Sequence, residues 1–352
     1  MNREAKAVMA AVNKHLGDKG EADDLVILGS QIRHLELPRI PTGAFALDHA
    51  LGGGWPANQW SEVTGEESAG KTTLVLKTIA HNQALDPNWQ VGWIAAEEFV
   101  VPFAEMLGVD MDRVAVVDTN LMGVAYSAAE MFLQSRAFDC VVIDSLPALV
   151  PEVEDDKSMA EMGVADAARL TNKFTRKARK ATRRSLTAED RFVTGFMINQ
   201  WREKVGVMYG DNRTTPGGLG KNYFYFCRVD VRRDEWIKSG KDVVGQTIKY
   251  IVRKNKTAPS GRSATIDFYV TDFEGHPAGS FDEAKQIINV GITSGHLVQR
   301  GAFYRFGEEK YRGRPGLQEA IAEDPKLVER IREAIYAGPP VTEEPPADKD
   351  PE

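Results

Sequence analysis

Cysteine is nearly absent from this chain of 352 residues; Cys140 and Cys227 are all it has. Both stand in apolar, strand-like runs, which argues against a disulfide framework or a cysteine metal site and fits reduced core thiols of a cytoplasmic protein. No apolar run approaches the roughly 20 residues that a bilayer-spanning helix needs. The opening residues, MNREAKAVMAAVNKHLG, carry charge throughout and lack an apolar h-region, so no secretory signal is expected. Excess positive charge is lacking too, the formal net charge being −7. That total argues only weakly against a polyanion partner. Acids gather near the end, where Glu343, Glu344, Asp348, Asp350 and Glu352 face a single Lys349, and the cations elsewhere are clustered.

What is present is a globular composition, 42% hydrophobic and 27% charged, suited to one large domain with appendages or to two domains. Ala5, Val8, Val12 and Leu16 recur at helical steps before Gly17, predicting an amphipathic helix. A short apolar run, Leu25 to Leu28, follows. It is a strand either of its own sheet or added to the sheet edge of another subunit.

From about residue 40, apolar strands alternate with helices. Strands are expected at 59–63, 91–96, 114–117, 140–143 and 192–198, with helices at 71–84, 124–135 and 160–182. Continuous apolar strands separated by helices imply a mostly parallel sheet covered on both faces, an α/β fold. Segments 224–232, 246–253 and 264–270 alternate more and are expected to be antiparallel strands that extend the sheet. Residues 273–337 suggest a small α+β domain with helices near 282–290 and 325–337. The Pro- and acid-rich stretch 338–352 is expected to be disordered.

Gly65-Glu66-Glu67-Ser68-Ala69-Gly70-Lys71-Thr72, followed by Thr73, fits G-x-x-x-x-G-K-[ST], with a strand before it and a helical run after it. Its glycines let backbone N–H groups approach phosphate oxygens at a helix N-terminus. Lys71 would reach the β- and γ-phosphates and Thr72 would ligate Mg²⁺, so ATP and Mg²⁺ are the expected cofactors. Three other strands end in polar groups: Glu97 after WIAA, Asp144 after CVVI and Gln200 after FMIN. In open parallel sheets, ligands sit beyond the carboxyl ends of the strands, so these three would share one crevice with Lys71. Each alone could be a turn former. Together, Asp144 suits the outer shell of Mg²⁺, Glu97 suits the attacking water and Gln200 suits a sensor of the γ-phosphate.

With these motifs in place, the chain resembles the RecA-type bacterial and phage recombinases. IPTG with LGGG, GEESAGKTT, WIAAEE, VVIDSLPALVPEVE, NQWREKVGVMYGDNRTTPGG and VVGQTIKYIVRKNKTAP carry the resemblance, in order, from about residue 35 to 335. The resemblance implies a RecA-like ATPase core over 35–272 and a polymerisation segment over 1–34. It implies filament formation, pairing of single-stranded with double-stranded DNA, and no membrane role. It also implies that Glu97 is the catalytic glutamate, that Phe103 stacks on adenine, and that Lys254 and Lys256 reach the neighbouring subunit's ATP. Residues 173–184 are more basic than the family pattern, 185–191 look like an insertion, Ile251 replaces an expected cation, and Tyr223 replaces an interface phenylalanine.

Two loops, near 154–163 and 201–216, would face DNA. Arg169, Arg176, Arg202, Lys204 and Arg213 are candidate phosphate contacts, and Gly206, Gly210, Gly217 and Gly218 candidate backbone contacts. Met162, with Gly163, and Val205 are candidate wedges between bases, and Trp201 and Thr214 complete the set. Arg228, Arg232, Arg233 and Lys249 could form a second strand-binding face. Arg300, Arg305, Lys310, Arg312 and Arg314, among Phe303, Tyr304, Phe306 and Tyr311, could form a duplex patch, although such aromatics are more often core. A phosphate-loop kinase and a non-enzymatic ATP-switched filament remain alternative readings of the phosphate loop.

Overall fold

The computed structural model describes residues 1–17, 38–152, 164–184, 192–203, 213–218 and 220–338. The chain divides into two compact units, Met1–Pro38 and Arg39–Glu352. In the first, α1 (Arg3–Gly17) begins where Asn2 Oδ1 accepts the Ala5 N–H at 2.9 Å. Glu4 lies in its first turn and Lys14 and His15 in its last, which complements the helix dipole. Val8 and Val12, on its apolar stripe, are exposed. The expected strand Leu25 to Leu28 lies outside the described residues.

The second unit opens with a short antiparallel pair, β1 (Arg39–Ile40) and β2 (Trp55–Pro56), with α2 (Phe45–Leu51) between them. Then follow β3 (Trp60–Gly65), α3 (Lys71–Leu85), β4 (Val91–Ala95), α4 (Val101–Met106), β5 (Val114–Asp118), α5 (Met122–Ser135) and β6 (Cys140–Asp144). The chain continues through α6 (Val164–Arg184), β7 (Thr194–Gln200), β8 (Arg202–Glu203), β9 (Arg213–Thr214) and α7 (Lys221–Phe224). Three long strands complete the main sheet: β10 (Cys227–Ser239), β11 (Asp242–Asn255) and β12 (Ser263–Tyr269).

The sheet has the order β12-β11-β10-β3-β7-β6-β4-β5. The pairs from β10 across to β5 are parallel; β11 and β12 are added antiparallel. This corrects the sequence expectation in two places. The strand after residue 224 begins at Cys227, because 221–224 coil into α7, and it runs parallel to β3, so only two of the three late strands are antiparallel throughout.

Side-chain alternation explains the layering. On β6, Cys140 and Val142 join one hydrophobic cluster while Val141 and Ile143 join the other. Leu74, Val75 and Ile79 of α3 cover the first face. Tyr126 and Ala129 of α5 cover the second with Phe174 and Ala178 of α6, and Tyr126 stacks on Phe174 at 4.4 Å. Both cysteines are buried and free.

After β12 come α8 (Glu283–Thr293), the antiparallel strands β13 (Val298–Arg300), β14 (Phe303–Phe306) and β15 (Glu309–Arg312), then α9 (Gly313–Glu323) and α10 (Pro325–Ala337). Ile287, Leu317 and Ile331 from these helices are continuous with the first cluster. Tyr304 is buried there, and Phe306 and Tyr311 pack against it, leaving Phe303 as the exposed aromatic of the four. Among the described residues no helix is long and apolar enough to cross a membrane.

Close packing around Trp60 gives a stability test. A Cβ on Gly195 would lie 2.2 Å from the buried Trp60 ring. Gly195→Ala should therefore cost about 1–3 kcal/mol in urea unfolding, the usual penalty of overpacking. Gly316, inside α9, meets nothing within 4 Å, so Gly316→Ala should be neutral or stabilising.

Candidate functional site

The parallel strands bring the predicted crevice together. In register, Gly65 at the end of β3 pairs with Gln200 at the end of β7, and Asp144 at the end of β6 pairs with Ala95, two residues before Glu97. The chain leaves β3 through a turn in which Ser68 has φ +56° and Gly70 φ +99°, then enters α3 at Lys71. The left-handed Gly70 lets the loop close against the helix N-terminus, where the first backbone N–H groups lack intrahelical partners.

Lys71 is buried, and its Nζ donates to the Glu66 carbonyl at 2.6 Å. Burial lowers its pKa, against the opposing pull of Asp144, Glu97, Glu67 and Glu66. The Thr72 hydroxyl donates to Asp144 Oδ2 at 3.0 Å. The Ser145 hydroxyl donates to Glu97 Oε1, and the Ala96 and Glu97 N–H groups donate to the Asp144 carbonyl at 2.8 and 3.1 Å. Glu97, exposed at the crevice edge, is thus oriented by the residue that follows Asp144. Phe103, on α4, is half-buried against the first cluster.

Thr72 and Asp144 are two oxygen donors set side by side. Among the described residues no group of three or more His, Cys, Asp or Glu gathers to cage an ion. That sparse set fits Mg²⁺, which takes few protein ligands and draws the rest from phosphate and water.

β7 ends at Gln200 and runs on into Trp201 and Arg202. Arg202 pairs with Thr214, and Glu203 with Arg213, closing the base of the second loop. The Trp201 indole N–H donates to the buried Asp230 at 2.7 Å, and the Arg213 guanidinium lies 5.1 Å above the Trp201 ring, so this tryptophan is tied to the core. Arg202 is exposed. Gly217 and Gly218 both have left-handed backbone. Arg169 and Arg176 are exposed on α6 and line, with Arg179, Asn172, Tyr223 and Phe224, a groove of about 500 Å³. Met162, Gly163, Lys204, Val205, Gly206 and Gly210 lie outside the described residues. Lys254 donates to the Asn222 carbonyl of α7, and Lys256 lies over the Phe226 ring.

The expected second strand-binding face is altered. Arg228 is not a surface cation; its Nε donates to the fully buried Glu62 at 2.6 Å. Glu62 also accepts from Lys221 at 2.7 Å and Asn199 at 2.9 Å. Arg232 and Arg253 both contact Asp230 at 2.9 Å, and Arg233 lies 4.2 Å from the Trp236 ring. Sequence reading missed Glu62, Lys221 and Asp230. A lone carboxylate inside an apolar strand, as in WSEVTG or CRVDV, is the signal, because such a group stays charged only when paired.

A family model and three curated relatives match this chain. A family model described as the RecA N-terminal domain matches residues 3–273. A RecA protein of Thermus aquaticus is 36% identical over 316 residues, covering 87% of this chain and 88% of its own length. One from Bacillus licheniformis is 36% identical over 311 residues, covering 88% and 85%, and one from a Nocardioides species is 35% identical over 345 residues, covering 96% and 93%.

Burial raises the Asp144 pKa from 3.8 to about 6, and Glu97 adds to the rise, while Thr72 and Lys71 oppose it. The folded protein therefore holds this proton more tightly than the unfolded chain. The resulting stability is complete below about pH 4 and is lost as pH rises through about 6. Ligand-free Asp144→Asn should consequently resist urea better than the parent at pH 8, by roughly 1–3 kcal/mol, with the advantage vanishing by pH 4.

Proposed function

Because the chain belongs to the RecA family, we propose that it is an ATP-dependent DNA recombinase that forms a helical filament on single-stranded DNA and exchanges strands with homologous duplex. One observation carries the reading. β7 delivers Gln200 beside the phosphate loop and passes directly into the Trp201–Arg202 base of the second loop. On this reading the γ-phosphate sensor and the start of the DNA loop follow one another directly in the chain.

The residues take the following roles. Gly65, Glu66, Glu67, Ser68, Ala69, Gly70 and Thr73 shape the loop that wraps the phosphates, and Lys71 neutralises them. Thr72 and Asp144 would hold Mg²⁺, which would supply positive charge against the developing phosphate charge. Glu97, held by Ser145, orients the attacking water and accepts its proton. Gln200 donates to the γ-phosphate without adding charge, and Phe103 supplies an aromatic face for adenine. Lys254 and Lys256 reach the ATP of the adjacent protomer. Arg169, Arg176, Arg202 and Arg213 contact DNA phosphates, with backbone N–H groups at Gly217 and Gly218 beside them. Lys204, Gly206 and Thr214 continue that path, and Met162, with Gly163, and Val205 wedge between bases.

The deciding measurement is ATP hydrolysis with and without single-stranded DNA, alongside electron microscopy with a slowly hydrolysed ATP analogue. DNA should stimulate turnover and filaments should form; turnover indifferent to DNA overturns the reading. Lys71→Ala should abolish hydrolysis. Glu97→Gln should still bind ATP but turn over about 10²- to 10⁴-fold more slowly. Arg202→Ala should weaken single-stranded DNA binding and reduce the slope of log affinity against log salt by about 0.7.

A further inference from the structure

Three cations meet around α7. Lys254, near the end of β11, donates its Nζ to the Asn222 carbonyl at 2.6 Å. Arg179, from α6, donates Nη2 to the next carbonyl, that of Tyr223, at 2.9 Å. Lys256 lies over the Phe226 ring at 4.8 Å. Two cationic heads therefore rest on consecutive carbonyls of one short helix, with a third close by. Among the described residues no carboxylate pairs with any of the three, whereas the nearby Arg228 is satisfied by Glu62.

The crowding has an electrostatic cost. Burial, then Lys256, Arg228 and Arg179, press the Lys254 pKa down to about 8. Burial and Arg179 also lower that of Lys256. A multivalent anion seated here would relieve the repulsion and draw on all three charges at once. Tyr223, whose carbonyl holds Arg179, is itself 77% exposed. An exposed aromatic that lines a groove with Arg169, Arg176 and Arg179 is suited to meet another protein surface that carries an anion, since aromatic residues and arginine are enriched at interfaces.

We infer that Arg179 is a third cation, beside Lys254 and Lys256, for the polyphosphate of ATP held by the neighbouring protomer. The inference rests on the reading of the chain as an ATP-dependent filament protein. Arg179 belongs to the 173–184 segment that is more basic than the family pattern, so it adds to what the resemblance assigns to the two lysines. An arginine also brings something that lysine does not, a planar fork that can engage two phosphate oxygens together.

The test uses Arg179→Ala and Arg179→Lys in the full chain at saturating single-stranded DNA. Turnover should fall at least 10-fold in Arg179→Ala and partly recover in Arg179→Lys, while the salt slope of DNA binding stays that of the parent. Mixing is the sharper measurement. Glu97→Gln protomers bind ATP and hydrolyse it slowly but still present Arg179. Mixed with Arg179→Ala protomers they should give turnover above either variant alone, because each intact site then meets an intact neighbour. If Arg179→Ala fails to fold, as judged by circular dichroism, Arg179→Lys takes its place in the mixture. Parental turnover in Arg179→Ala, or no gain on mixing, overturns the inference. A loss that tracks weakened DNA binding with a flatter salt slope also overturns it and assigns Arg179 to the groove with Arg169 and Arg176. A parent protein whose hydrolysis ignores DNA would defeat the underlying reading instead.

Discussion

Two carboxylates with no solvent exposure, Glu62 on β3 and Asp230 on β10, fix the geometry on which the site depends. A buried charge is tolerated only when its hydrogen-bonding capacity is met. Glu62 meets this condition with Lys221, Arg228 and Asn199, and Asp230 with Trp201, Arg232 and Arg253. These donors come from β7, α7, β10, β11 and the entry to the second loop. The carboxylates thus set the relative positions of the elements that carry the phosphate loop, Gln200 and the base of the second loop. Removing the fully buried Lys221 would break a buried ion pair, a change that costs about 3–5 kcal/mol.

Around this anchor, sheet topology does the rest. Parallel β3, β7, β6 and β4 all present their carboxyl ends on one edge, so Lys71, Gln200, Asp144 and Glu97 converge although they lie far apart in sequence. The Asn199 side chain links the two systems: its Oδ1 accepts the Gln200 N–H at 3.0 Å while its Nδ2 donates to Glu62. Lys221 extends the same chain of hydrogen bonds to Thr215 at 2.6 Å, beside Gly217. The backbone at Gln200 and the far end of the second loop are therefore referenced to one carboxylate.

Much of this was legible in sequence because the signals are local. The phosphate loop is contiguous, and β4, β6 and β7 are apolar runs that end in polar groups, so strand polarity alone predicts where those groups meet. Long-range pairings were not legible. Glu62 and Lys221 are 159 residues apart, and nothing near either names the other. The alternation of arginine and valine in RVDVRR suggested an exposed cationic face; the structure turns Arg228 onto Glu62 because β10 lies beside β3, inside the sheet. α2 escaped notice for a different reason: FALDHAL buries five of its seven residues, so it shows little of the amphipathic period that marks a surface helix.

The choice of a charged anchor beneath residues 215–218 has a physical logic. A buried ion pair is seldom more stabilising than well-packed hydrophobes of the same volume, but it is more particular about geometry. An apolar plug at position 221 could slide among alternative packings. The Lys221 ammonium must instead satisfy Glu62 and Thr215 at the same time, with Asn222 as a third, longer partner, and few placements of 215–221 do so. Burial lowers the Lys221 pKa while Glu62 supports the charged form, so the anchor holds only with its carboxylate in place. A segment rich in glycine, with left-handed turns at Gly217 and Gly218, gains from such an anchor the definition its own backbone does not supply.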